Sequence, residues 1–302
     1  VTLTMMLAET INNTNKGEFK NVDFNEDEME ELRLAAWMHD VGKITTPEYV
    51  VDKSTKLQTI FDRISLIETR FQVIAQLIED RHLSGKVELM QNGKTNESGI
   101  KQLNKELAGN IKLLQEELNF IKKCNNPGEF LSDDKIEKIK EIANKTYSFG
   151  NMNYQYLTKD EVENLCIQKG SLTKEERKII ENHATMTLKM LNELPFPPKL
   201  ANVPEYAAGH HEKLDGSGYP RGLTEKEMSL QSRIMAVADI FEALTARDRP
   251  YKKPMKLSQA VKIMGFMKKD RHIDPNIYDL FMESRLFYDY AKREMNPDQI
   301  DI

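Results

Sequence analysis

The sequence predicts an all-α protein, a helical bundle interrupted by a long helical hairpin. Three observations point there. Apolar residues recur at intervals of three and four in segment after segment. Helix-start signals precede several of those segments. No run of alternating apolar and polar residues is long enough to argue for a sheet, and no internal repeat is visible.

The first clear helix is "FNEDEMEELRLAAWMHD", with Asn25 as its cap and Met29, Leu32, Ala36 and Trp37 at helical spacing. From residue 53 to 169 the composition turns to Lys, Glu, Asn and Gln. Leu57, Phe61, Ile64, Ile67, Phe71, Ile74 and Ile78 form one stripe there, and Leu103, Leu107, Ile111, Leu114, Leu118 and Ile121 another. Two such stripes predict a long hairpin or coiled coil, with "SGKVELMQNGKTNESG" as the polar turn between them. Packing of the stripes on each other accounts for most of them. An exposed end of the seam is a candidate homodimer surface. "LTKEERKIIENHATMTLKMLNEL" opens with Thr173 and Glu176 in capping-box spacing. Its stripe runs Ile179, Ile180, Met186 or Thr187, Met190, Leu191 and Leu194, and "PFPP" stops it. "SLQSRIMAVADIFEALTA" is apolar and rich in small residues, which predicts a deeply buried helix. These segments divide the chain into a core in two parts, 1–52 and 170–285, an insertion at 53–169 and a C-terminal tail at 286–302.

Composition narrows the function. The 302 residues carry a net charge of −5. A polymer-binding nucleic-acid protein is usually basic, so an anionic ligand must be drawn by a local site. No stretch approaches the roughly 20 apolar residues of a membrane-spanning helix. No signal peptide is visible. Cys124 and Cys166 share no metal-like spacing and read as reduced thiols of a cytoplasmic protein. The chain starts at Val1, which predicts that it was cut from a longer protein.

Four of the six histidines stand in unusual company. "WMHDVGK" places His39 beside Asp40 at a helix end. "IENHATM" sets His183 in an amphipathic helix, and "GHHEKLDG" supplies His210 and His211. Asp239 interrupts the apolar "AVADIFEAL". A lone helical histidine is usually packed or solvated. A buried unpaired carboxylate, however, costs several kcal/mol, and a metal ion removes that cost. Taken jointly, His39, Asp40, His183, His210, His211 and Asp239 are six nitrogen and oxygen ligands, more than one four-coordinate ion needs. Metal pairs about 3.5–4 Å apart recur in phosphate ester cleavage. The mixed imidazole and carboxylate set suits Mn, Fe, Ni or Zn. His82 and His272 lie in polar surroundings and take no role.

"HDVGK", "HHEKLDGSGYP" and "VADIFEALTARDRPYKKP", in that order, resemble the HD-GYP family of cyclic dinucleotide phosphodiesterases, and "HIDPNIYDLF" resembles its closing helix. The match covers roughly 1–52 and 170–285. The resemblance implies an HD-domain helical bundle and the same six metal ligands, with Asp40 bridging. Lys43 matches a lysine that meets the phosphate or leaving group, so Lys43 and Asp40 form the catalytic pair. Tyr219 would contact the dinucleotide, and Arg249 and Lys252 would hold its phosphates. Gly216 and Gly218 belong to the substrate-binding turn that presents Tyr219.

The family implies two or three divalent ions, Fe or Mn first, with Zn, Ni or Mg as alternatives. The implied reaction is hydrolysis of cyclic di-GMP to pGpG or GMP in bacterial second-messenger signalling. A mixed cyclic GMP–AMP substrate, another phosphohydrolase activity, and a binding module without turnover are the alternatives. The family also implies an N-terminal sensor or receiver domain in the parent protein. Three features depart from the pattern. No histidine precedes His39, the span from His39 to His183 is long, and "HATMT" replaces a His-Pro start.

Overall fold

A computed structural model of the chain describes residues 1–91, 97–128, 130–246 and 254–302. In chain order its helices are α1 (Thr2–Asn12), α2 (Glu26–Met38), α3 (Glu48–Val51), α4 (Ile64–Gln91), α5 (Glu97–Asn125) and α6 (Asp133–Ala143). Two short strands follow, β1 (Thr146–Phe149) and β2 (Met152–Gln155). The remaining helices are α7 (Lys159–Leu165), α8 (Lys174–Asn192), α9 (Val203–Ala208), α10 (Leu230–Thr245), α11 (Leu257–Lys269), α12 (Pro275–Glu283) and α13 (Leu286–Glu294). The fold is all-α apart from that one hairpin. The chain divides into two compact units, Val1–Pro47 with Arg177–Ile302, and Glu48–Glu176.

In the first unit α10 is the central element. Its Ser229 cap accepts the Ser232 N–H, and Ile234, Met235, Ala236, Val237, Ala238 and Phe241 are all buried. Phe241 meets Phe281 of α12 and Tyr290 of α13 edge-on, at centroid distances of 5.1 and 5.8 Å. Full burial of such a ring is worth about 1.5–3 kcal/mol. The segment from 286, set apart by sequence as a tail, carries α13, whose Leu286, Phe287, Tyr290 and Ala291 are buried in the same core.

Asn25 caps α2 through a capping box with Glu28. Leu32 and Ala36 are buried, but Trp37 is 72% exposed. It lies five positions past Leu32, about 140° further round the helix, and so leaves the apolar face. In α8 the inward positions are His183, Ala184, Thr187 and Leu191. Ile179 and Leu194, assigned to the apolar stripe, are exposed instead.

The second unit has its own core. Ile67, Phe71 and Ile74 of α4 and Leu114 and Ile121 of α5 are buried in one apolar cluster. The segment expected as a polar turn is largely helical where described, since α4 continues to Gln91 and α5 begins at Glu97. Within it a Cβ added at Gly85 would meet the Leu103 side chain at 3.5 Å, an ordinary contact. The hairpin β1–β2 pairs Tyr147 with Tyr154 and Phe149 with Met152 across a Gly150–Asn151 loop. Its residues are almost all exposed, so no alternation of burial marks it in the sequence. Gly150 takes a φ of 59°, which suits the first loop position of a tight hairpin. Arg70 holds the buried Glu161 by two hydrogen bonds.

Candidate metal centre

The six candidate ligands come from segments held by α2, α8, α9 and α10. His39 is the C-cap of α2, and Asp40 opens the short 3-10 turn Val41–Thr45. That turn rests directly on α8. The Gly42 N–H donates to Thr187 Oγ1 at 3.0 Å, and the Thr187 hydroxyl donates to the His39 carbonyl at 3.1 Å. His183 lies one turn earlier on α8. His210 and His211 end a 3-10 turn that continues α9. Asp239 projects from the middle of α10.

Three of the candidate ligands are prepared in the same way. Nδ1 of His39 bonds the Ala36 carbonyl, Nδ1 of His183 bonds Ile180, and Nδ1 of His210 bonds Ala207. A carbonyl can only accept, so Nδ1 carries the hydrogen and the Nε2 lone pair points into the site. His183 Nε2 lies 3.4 Å and His210 Nε2 3.9 Å from Asp40 Oδ1. His39 Nε2 lies 3.4 Å from Asp40 Oδ2 and 3.6 Å from Asp239 Oδ1. The rings of His210 and His211 are 4.0 Å apart. Lys43 Nζ donates to Asp40 Oδ2 at 2.6 Å.

Among the described residues, the buried side-chain atoms without a hydrogen-bond partner are Asp40 Oδ1, His183 Nε2, His210 Nε2 and Arg233 Nε. The first three face one another across less than 4 Å. Leaving them bare costs about 1–3 kcal/mol each. A cation among them satisfies all three, so the residues fit a divalent metal. Two overlapping groups meet metal-ligand spacing, His183 with His210 and His211, and His39 with Asp40 and His210.

At every candidate ligand except His39 the electrostatics favour the form that binds a metal. Burial, with neighbouring imidazoles, pushes His210 down to about 4 and His211 down to about 2. Burial also lowers His183. It acts the same way on His39, but the hydrogen bond with Asp239 and the charge of Asp40 outweigh it and raise that ring. Burial works to raise Asp40 and Asp239. His39 and Lys43 nevertheless hold Asp40 below the usual carboxylate range, and His39 with His210 and His211 does the same for Asp239. Neutral imidazoles and ionised carboxylates are what a metal needs.

Tyr219 stacks near His211, with centroids 4.7 Å apart and planes at 35°. Burial and the Glu181 carboxylate raise its hydroxyl, which stays protonated. Gly216 has a φ of 78°, the left-handed region that glycine tolerates. Gly218 is required by space instead, since a Cβ there would sit 2.4 Å from the Lys213 nitrogen. Arg249 and Lys252 lie outside the described residues.

Sequence reasoning gave no supporting role to two residues that have one. Thr187 is fully buried and ties the His39–Gly42 turn to α8. Glu212 is 1% exposed and accepts two backbone N–H groups of the glycine-rich loop. A polar residue at an inward helical position was the available signal for Thr187.

Helical segments thus bring imidazoles and carboxylates from four places to one point that could hold a divalent metal. Two family models, both described as HD domain, match residues 1–115 and 157–277. The chain belongs to the HD-domain family. It is 36% identical over 135 residues to a cyclic di-GMP phosphodiesterase of Thermotoga maritima, covering 44% of this chain and 36% of that protein. It is 37% identical over 129 residues to a 3'3'-cGAMP-specific phosphodiesterase of Vibrio cholerae, covering 42% and 28%. A cyclic di-GMP phosphodiesterase response regulator of Xanthomonas campestris is 32% identical over 125 residues, covering 41% and 32%. The chain spans about a third of the length of these curated relatives.

Proposed function

We propose that this chain is the catalytic part of a metal-dependent phosphodiesterase that opens a 3′–5′ cyclic dinucleotide, cyclic di-GMP first. The observation that carries it is the convergence of Asp40 Oδ1, His183 Nε2 and His210 Nε2, buried and without partners of their own. His39, Asp40, His183, His210, His211 and Asp239 would hold the ions, Fe or Mn by preference. Bound divalent ions supply Lewis acidity at the phosphoryl group and lower the pKa of the attacking water. The rest is done by side chains. Asp40 faces both sets of imidazoles and suits a bridging ligand. Lys43, beside Asp40, brings a positive charge to where the phosphoryl oxygens gain negative charge. Tyr219 walls the side of His211 and orients the dinucleotide, with Gly216 and Gly218 shaping its loop. Arg249 and Lys252 are assigned to the substrate phosphates.

The cGAMP-specific relatives match at similar identity, so 3′3′-cGAMP is the second substrate to test. Incubation of Mn- or Fe-loaded protein with each dinucleotide, followed by chromatography, should yield linear pGpG or GMP from cyclic di-GMP. Fully metallated protein that cleaves neither would overturn the proposal.

Around the site the reading is a bacterial cytoplasmic signalling protein. A receiver or sensor domain before this core accords with the response-regulator relative. We take 53–169 as an insertion into the HD-GYP core. Leu66, Val73, Leu83, Val87 and Met90 of α4 are exposed at spacings that suit a homodimer seam. Among the described residues, no helix is long and apolar enough to cross a membrane.

A further inference from the structure

Glu212 follows His210 and His211 directly, yet its carboxylate is bonded to the backbone of the loop beyond them. Its carboxylate is 1% exposed and closes the loop that carries Tyr219. Oε1 accepts the Arg221 N–H at 2.8 Å, and Oε2 accepts the Leu223 N–H at 2.9 Å. The loop is pinned at two further points. The Tyr219 N–H donates to the His211 carbonyl at 3.2 Å, and the Arg221 guanidinium pairs with Glu205 of α9. Gly218 lies so close to Glu212 that an added Cβ would sit 2.5 Å from its Cα. The outcome is a Tyr219 ring set 4.7 Å from the ring of His211.

We propose that Glu212 is a positioning residue for substrate. By holding both ends of its carboxylate on the far side of the loop, it sets the place of Tyr219 beside His211, so dinucleotide affinity depends on it while metal capture does not. This rests on the reading of Tyr219 as a substrate contact. The chemistry is specific to a carboxylate. Two N–H groups 2 residues apart meet two acceptor oxygens, and bonds to a charged acceptor are about twice as strong as neutral ones. In Glu212→Gln one oxygen becomes an NH2 that cannot accept, so one N–H is left facing a donor.

The test uses Glu212→Gln, Tyr219→Ala and the double variant in the whole chain, with metal content measured for each. Glu212→Gln should raise KM for cyclic di-GMP about tenfold, leave kcat within about twofold, and keep the wild-type metal content. The double variant should be no worse than Tyr219→Ala alone, because both act through one contact. Hydrogen exchange should quicken at the Arg221 and Leu223 amides of Glu212→Gln, whether or not the protein turns over. An unchanged KM, additive losses, unchanged exchange, or loss of metal would each overturn the assignment. If Glu212→Gln does not fold, Glu212→Asp, which keeps the charge one methylene short, must show the same KM rise. Wild-type protein without turnover would sink the enzymatic reading alone, and the exchange result would still decide the loop's anchor.

Discussion

Replacing Gly42 by alanine asks how closely the Asp40 turn must approach α8. The turn is tied down by the Gly42 N–H on Thr187 Oγ1. A methyl group at Gly42 would sit 2.1 Å from the His183 carbonyl oxygen, 2.6 Å from the Thr187 nitrogen and 2.8 Å from Thr187 Oγ1. Two of these are backbone atoms of a helix and cannot rotate away. Ordinary contact begins near 3.4 Å, so the turn must retreat by about 1 Å. That retreat carries His39 and Asp40 away from His183 and His210. Overpacking of this kind costs about 1–3 kcal/mol. A misplacement of about 1 Å in a reacting constellation can cost about 10²-fold in rate. The expected result for Gly42→Ala is lower bound metal per chain by mass spectrometry, a melting temperature reduced by several degrees, and turnover down about a hundredfold. Gly109→Ala is the control. It lies in α5 with nothing within 4 Å of an added Cβ, and should be neutral or slightly stabilising. Gly42→Ala with wild-type metal content and wild-type melting would refute the reasoning, because the turn would then have room the geometry denies it.

Two further predictions follow from the same structure. Burial works to raise the Glu161 carboxyl, but two hydrogen bonds from Arg70 and the Thr158 cap hold it below the ordinary range. Its lowered folded-state pKa means that the pair stabilises above the unfolded value, about 4.3, and that this contribution is lost as pH falls through the folded value. Arg70→Gln should therefore cost roughly 3 kcal/mol near pH 7, and the gap from wild type in thermal unfolding should narrow as pH falls below about 4. A gap that widens on acidification would contradict the sign. Removing metal with a chelator should lower the melting temperature of wild type, since a ligand at about 100 times its Kd adds about 2.7 kcal/mol. Asp40→Asn should show little response to chelator, and an equal response in both proteins would place the metal elsewhere.

Much of the fold was legible because its signals are local. Asn25 caps α2 and Thr173 with Glu176 forms a capping box, both as read from the sequence. The small-residue helix around Asp239 is the central buried one, as its composition implied. Features that depend on partners distant in sequence were not legible. Which side of α8 turns inward is decided by His183 and Thr187 meeting the Asp40 turn, more than 140 residues away. The sequence offered Ile179 as an inward residue, and it is exposed. The β1–β2 hairpin escaped for the opposite reason. Only Tyr147 is half-buried and the other strand residues are exposed, so no alternating pattern of burial constrained the sequence. At the metal centre the residue types were readable, but the fixing of Nδ1 on carbonyls three residues back was not.

That last device explains why the centre can be assembled from ordinary helical segments. At a helix end or within a helix, the carbonyl three positions earlier is within reach of a histidine's near ring nitrogen. His39, His183 and His210 all use it, although they sit in different segments. Each helix thus presents one lone pair of known direction without a separate supporting side chain. The carboxylates then do what imidazoles cannot. Asp40 faces His183 and His210 with one oxygen and His39 and Lys43 with the other, so a single side chain joins the two ligand groups. Removing His39, His183 or His211 leaves a gap in one group, whereas His210 belongs to both. Removing Asp40 separates both groups and frees Lys43 from its partner, which is why Asp40 is the substitution that best discriminates a paired metal centre from a cluster of packed histidines.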